Sequence, residues 1–185
     1  PTTSQDMVEM TELWERLGTH SRDEFPELFS PEDLRAQRHL VNTLDSWWPA
    51  VESMPRTLIH NDFNPRNIAL RKTPDGLRLV AYDWELATLG VPQHDVAELL
   101  TFVLDETAVW DDVEHCLQVH RQALEQASGV PVPIEMARAA YWHSLKDLAL
   151  NRLAMYAMAH TFRHYGFMER VVRTTRRLFS LGGPR

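Results

Sequence analysis

The chain has 185 residues, 44% hydrophobic and 24% charged, a balance expected of one soluble domain with its own core. Its net charge of −7 argues against nucleic acid as a general partner, which would need a basic face. The single cysteine, Cys116, excludes an internal disulfide and a cysteine-based zinc site, and no apolar run nears the roughly 20 residues that span a bilayer, so a reducing, cytoplasmic setting with no membrane partner is expected.

The chain starts at Pro1 rather than Met, which points to a fragment or a processed product. In the first stretch, Met7, Met10, Leu13, Trp14 and Leu17 recur at the spacing of one buried helical face, and Ser4 is placed to cap it. A second helix is predicted from Ser30-Pro31-Glu32-Asp33, where a cap and a first-turn proline precede acids at the positive helix end. Its apolar face is Leu34, Leu40, Val41, Leu44 and Trp48, and Pro49 is the expected stop. Arg56 to His60 reads as a short buried strand. Ile68 to Arg71 and Leu77 to Asp83 then flank Lys72 to Gly76, whose Pro-Asp-Gly turn joins them into a hairpin. The helical period returns at Asp95 and again over roughly Trp110 to Ala127. Pro133 to Phe162 is apolar nearly all round and is expected to be a central buried helix. A last helix runs from Met168 to Leu181, with Gly182-Gly183-Pro184 as its stop signal.

Between the first strand and the hairpin stands HNDFNPRN, residues 60–67, which crowds His60, Asn61, Asp62, Asn64, Arg66 and Asn67 together. Antiparallel pairing returns a chain to its starting end. Asn67, where the first hairpin strand begins, and Asp83, where the second ends, are therefore predicted neighbours, with Asp62 just before them. Two bare carboxylates about 4 Å apart repel by roughly 1–4 kcal/mol. A hard divalent cation relieves this, and Mg²⁺ prefers oxygen donors while leaving positions for phosphate and water. Asn67 and Asp83 suit that ion, which leaves Asp62 free to orient a hydroxyl.

His-x-Asp-x-x-x-x-Asn followed by a hairpin and a second Asp resembles the catalytic and metal-binding segments of the protein-kinase-like fold. The spelling HNDFNPRN and then YDWE is similar to the aminoglycoside phosphotransferase and choline kinase superfamily, with Asn61 and Trp84-Glu85 where protein kinases usually carry Arg and Phe-Gly. Downstream, GVPQHDVAELL resembles the superfamily's Asp-containing brace, so the motif-bearing match runs from about Leu58 to Leu100. The resemblance implies a mainly α fold with a small β-hairpin, the C-terminal lobe of a kinase, as a single domain over 1–185. Its parts would be a catalytic loop at 60–67, a metal-binding segment at 83–85 and a helical bundle at 95–181.

The resemblance also implies roles. Asp62 is the base or hydroxyl-orienting group, Asn67 and Asp83 hold Mg²⁺ and with it the nucleotide, His60 is structural, and Asp95 braces the loop. The implied cofactors are Mg²⁺ and ATP or GTP. The implied reaction moves a γ-phosphoryl group to a small-molecule hydroxyl, on an aminoglycoside or an amino alcohol. Alternatives are a peptide Ser/Thr hydroxyl in natural-product maturation, or a pseudokinase that only binds. An Asp is a weak base, which suffices where the transition state is loose and orientation matters most.

Other residues read two ways. Arg66 either reaches a phosphate oxygen or is a solvated loop residue. Glu85 either faces metal and substrate or sits in an ion pair, and Asn64 is a further candidate to face substrate. His143, Asp147 and Asn151, four apart on the central helix, form a polar stripe that either binds an amine or hydroxyls or faces water. His160 and His164 are also four apart but lack a third ligand. The nucleotide-covering lobe of such an enzyme supplies a strand Lys and a helix Glu. Here the lysines, Lys72 and Lys146, fall in the hairpin turn and in mid-helix, and no Gly-x-Gly loop occurs. That N-terminal lobe is expected to be supplied by the rest of a longer chain, with the 185 residues alone weakly active or inactive.

Overall fold

The computed structural model describes residues 2–182, so Pro1 and most of the predicted Gly-Gly-Pro stop lie outside the described residues. Helix α1 (Ser4–Glu9) ends at Met10, and α2 (Thr11–Glu24) follows it, where the periodicity predicts one helix. Thr3 rather than Ser4 caps α1: its hydroxyl accepts from Asp6 N–H while the Asp6 carboxylate accepts from Thr3 N–H. Ser4 instead donates to Glu52 and ties α1 to the fourth helix. Met7, Trp14 and Leu17 are buried as their spacing predicts, whereas Leu13 is exposed.

Ser30 caps α3 (Pro31–Asn42) through a reciprocal bond with Asp33, as the sequence anticipates. The break falls at Thr43, and α4 (Leu44–Ser53) carries Pro49 in its interior instead of stopping there. Proline removes one helical hydrogen bond. Buried Trp47, Trp48 and Val51 on either side of it pin the helix to the core and override that loss.

Strand β1 (Thr57–Ile59) is buried only at Ile59, because it lies in a two-stranded sheet with one covered side. Hairpin strands β2 (Ile68–Thr73) and β3 (Gly76–Ala81) pair from Ile68↔Ala81 to Thr73↔Gly76, with a tighter turn than the sequence reading. After a 3₁₀ turn at Trp84–Leu86 comes β4 (Thr88–Gly90), which pairs antiparallel with β1 and which the sequence reading missed. A Cβ at Gly90 would lie 2.3 Å from Ile59 Cδ1, so a larger residue there would require the buried Ile59 side chain to move.

The remainder is helical: α5 (Gln93–Val103), α6 (Trp110–Ser128), α7 (Ile134–Asp147), a π-helical segment (Leu148–Leu153), α8 (Ala154–Phe162) and α9 (Met168–Ser180). The central rod is thus divided by a π segment, and it is not buried all round, since Met155, Met158 and Phe162 are exposed. Its inner faces are the hub of the core. Tyr141, Leu145 and Leu148 pack with Leu100 of α5, Leu117 of α6 and Leu178 of α9. Leu150 and Ala154 join the tryptophan cluster of the N-terminal helices. The result is a mainly helical chain with two small antiparallel sheets. Among the described residues no helix is long and apolar enough to cross a membrane.

Candidate active site

Residues 60–67 form a loop held from both flanks. On one side, Asp95 in the first turn of α5 accepts the backbone N–H of His60 at 2.7 Å and of Asn61 at 2.9 Å, one with each carboxylate oxygen. One turn further along α5, Glu98 accepts the N–H of Phe63 at 2.9 Å. On the other side, buried His60 meets the Tyr82 carbonyl at 2.8 Å. A carbonyl only accepts, so the His60 proton is on Nε2. Asn61 sits in the left-handed region at φ 60°, which asparagine tolerates better than most residues, and Arg152 donates to its carbonyl.

These anchors aim Asp62 into a cage of donors. Asn64 Nδ2 donates to Oδ1 at 2.9 Å, Asn67 Nδ2 donates to Oδ2 at 2.6 Å, and Arg66 Nη2 stands 3.6 Å away. The Asn67 carbonyl accepts from Tyr82 N–H at 3.0 Å, which extends the hairpin ladder one step past Ile68↔Ala81. Asp83 is the next residue, exposed and in a left-handed conformation at φ 64°. The hairpin thus brings Asp62, Asn67 and the Asp83 segment to one end. With Nδ2 spent on Asp62, Asn67 Oδ1 has no hydrogen-bond donor among the described residues, and the Asp83 carboxylate has neither hydrogen bond nor ion pair there.

A family model described as the phosphotransferase enzyme family, APH, matches residues 3–134, well over half of the chain and all of this loop, hairpin and brace. The chain belongs to the APH phosphotransferase family. No curated protein matches it.

In this APH chain the donor chemistry at Asn67 and Asp83 fits a hard cation, since both offer oxygen alone and both oxygens are uncommitted. A second group of ligand atoms, from His94, Asp95 and Glu98, lies within 4.8 Å of one another. Both Asp95 oxygens and one Glu98 oxygen are already taken by loop N–H groups, so that cluster works as the brace of the loop.

The remaining sequence candidates separate. Asn64 is fully buried, and its Oδ1 accepts from Arg66 N and Nε at 3.1 and 3.0 Å, so it orders the loop and does not face substrate. Arg66 is exposed on the loop, as one of the two sequence readings has it, and its guanidinium also lies over Phe167 at 4.7 Å and over Phe102 and Tyr156 at 5.5 Å, a stacked cation beside Asp62. Glu85 is exposed in the 3₁₀ turn and has no ion pair among the described residues. The polar stripe splits. Asp147 and Asn151 line a cavity of about 600 Å³ that Asn61, His94 and Arg152 also line. His143 stacks on Trp47 instead, with ring centroids 6.2 Å apart. Four-residue steps on a helix drift by roughly 40° each, which is enough to part the two ends of the stripe. Within the cavity, burial pushes the Asp147 carboxyl above the usual carboxylate range, while His94 at 3.5 Å and the Asn151 carboxamide oppose the shift. His160 and His164 are not a metal pair in this arrangement: His160 Nδ1 accepts Tyr165 N–H at 2.8 Å.

Three residues at the site went unread in the sequence: Glu98, Arg152 and Tyr156. Glu98 had a usable signal, an acid three positions after Asp95 on the same helical face. The other two lie about ninety residues from the loop, inside an apolar helix, and nothing local marks them.

Proposed function

We propose that this APH phosphotransferase moves the γ-phosphoryl group of ATP or GTP to a hydroxyl of a small molecule, with Asp62 orienting that hydroxyl. The observation that carries the reading is a carboxylate fixed by two carboxamides beside two uncommitted oxygen ligands. The acceptor oxygen bonds to the γ-phosphorus as the bond to the nucleoside diphosphate breaks, and the hydroxyl proton passes to Asp62. Asn67 Oδ1 and the Asp83 carboxylate are the groups that would hold Mg²⁺, which when bound neutralises charge on the phosphate oxygens. The loop contributes placement: Asp95 and His60 keep Asp62 from turning away while the substrates approach.

The polar cavity beside Asn61 is the proposed acceptor pocket. Asp147 and Asn151 would take an amine or hydroxyl groups there, and the net charge of −7 favours a cationic acceptor such as an amino sugar. We also infer that a second lobe closes over the hairpin to cover the nucleotide. Leu70, Leu77 and Leu79 stand 67%, 70% and 50% exposed, an apolar face that such a lobe would bury.

The test is calorimetric titration of nucleotide into the intact protein with and without Mg²⁺, followed by an assay for diphosphate release with kanamycin and choline as acceptors. Absence of Mg²⁺-dependent nucleotide binding would sink the enzyme reading in favour of a binding module. Asp83→Asn is expected to weaken Mg²⁺-dependent nucleotide binding by about tenfold or more while keeping the melting temperature, since the Asp83 side chain carries no structural bond among the described residues. A collapsed fold in that variant would mark Asp83 as a structural acid instead. Asp147→Asn should raise the KM for an amino-sugar acceptor by roughly ten- to a hundredfold with kcat retained, the loss of one charged hydrogen bond. An unchanged KM would move the acceptor out of this cavity.

A further inference from the structure

Tyr156 lies beyond the family match yet reaches the centre of the site. Its hydroxyl oxygen is 3.0 Å from Asp62 Oδ1 and 3.1 Å from Glu98 Oε1, and Arg66 Nη2 donates to it at 3.3 Å. A phenol has one proton and donates to one carboxylate. The other oxygen-to-oxygen contact is a hydrogen bond only if that carboxyl carries a proton of its own. Asp62 is served by the Asn64 and Asn67 carboxamides, whereas Glu98 is 1% exposed. Burial pushes the Glu98 carboxyl up, against the pull of Arg152 and His94. With two carboxamide N–H donors already suited to an Asp62 carboxylate, the geometry points to the extra proton on Glu98, which then donates to the Tyr156 oxygen while Tyr156 donates to Asp62 Oδ1.

The donors at Asp62 are then unequal. Oδ1 takes two, from Asn64 at 2.9 Å and from Tyr156, while Oδ2 takes only Asn67 and keeps a lone pair. The π-helical segment ends three residues before Tyr156 and sets its rotation; one residue fewer in that turn would swing the ring by roughly 100° around the axis.

We propose that Tyr156, backed by Glu98, is a positioning residue for the transfer: it occupies Asp62 Oδ1 so that Oδ2, the oxygen beside Asn67, meets the acceptor hydroxyl. This rests on Asp62 being the hydroxyl-orienting group. A merely structural Tyr156 would act through its ring, which lies edge-on to Phe102 and Phe167 at 6.1 and 5.5 Å. Tyr156→Phe keeps that ring and removes the hydroxyl alone.

The experiment uses the intact protein with two readouts. The first needs no substrate: the side-chain NH₂ signals of Asn64 and Asn67 by NMR. The second is turnover of MgATP with kanamycin and, separately, with water as the acceptor. Tyr156→Phe is expected to shift the Asn64 signal and to lower kcat by about ten- to a hundredfold, with the KM for MgATP held within about twofold. Glu98→Ala should lose at least as much, since it also frees the Phe63 N–H, which the Glu98→Gln oxygen still accepts. Glu98→Gln, whose carboxamide donates to Tyr156 as the protonated carboxyl does, should restore both readouts toward wild type. An unmoved Asn64 signal, or a kcat within about twofold of wild type in Tyr156→Phe, overturns the proposal. Equal loss in Glu98→Gln and Glu98→Ala overturns the part assigned to Glu98. Should the wild type turn over neither acceptor while the Asn64 signal moves and Glu98→Gln restores it, the donor chain stands and it is the reading of Asp62 that falls.

Discussion

Asp62→Asn is expected to cut phosphoryl transfer by about 10²- to 10⁴-fold, the range lost with a positioned general base. The substitution keeps the shape of the side chain and removes its charge and one acceptor oxygen. That oxygen matters because Asn64, Asn67 and Tyr156 all point donors at residue 62. An amide there turns one of its own N–H groups toward one of them, a mismatch that costs about 1 kcal/mol of stability. The KM for MgATP should change less than kcat, since the proposed Mg²⁺ ligands, Asn67 and Asp83, are both retained, although Asn67 donates to residue 62. Steady-state kinetics with a parallel thermal melt check both parts. Retention of more than about a tenth of wild-type kcat would remove Asp62 from the chemistry.

The largest loss of stability is expected from Asp95→Ala. Each oxygen of Asp95 accepts a backbone N–H of the loop, at 2.7 and 2.9 Å, from a position at the start of α5. Hydrogen bonds to a charged group contribute roughly 1.5–3 kcal/mol each, so the pair is worth about 3 kcal/mol or more, a large share of the 5–15 kcal/mol that holds a domain together. For a chain of this length the melting temperature should fall by about 6–12 °C. Activity should fall too, because the freed segment carries Asp62. Asp95→Asn, which keeps one acceptor and turns a donor toward the other N–H, should fall between. A melting temperature within about 2 °C of wild type in Asp95→Ala would mean that water or another group satisfies the loop. Hydrogen exchange at His60 and Asn61 gives the local version of the same test.

Much of the site was legible because its parts are close in sequence. The loop at 60–67 and the hairpin after it are local structures, and antiparallel pairing predicts that the residue after Tyr82 returns beside Asn67. Asp95 could be placed by its resemblance to a known brace, and the structure gives it two backbone bonds to the loop. The errors came where one contact outweighed a local preference. Pro49 reads as a stop, yet the burial of Trp47 and Trp48 carries α4 through it. Ser4 reads as a cap, yet Glu52, far along the chain, claims it and leaves Thr3 to close the helix. Strand β4 has only three residues and borrows its partner from β1, too short a run for alternation to declare itself.

From the sequence alone came the helical class, the hairpin, and the gathering of Asp62, Asn67 and Asp83 at one end of it, since each follows from periodicity or spacing within a few turns of chain. Only the tertiary structure decided which donors surround Asp62. Tyr156 reaches it from a helix distant in sequence, at an angle set by a π-helical segment that residue periodicity does not announce, while Glu98 and Arg152 hold the neighbouring backbone at Phe63 and Asn61. Hydrogen bonds along a helix repeat with the chain and leave a pattern in it. A bond between helices depends on how they are rotated and packed, and it leaves no period to read.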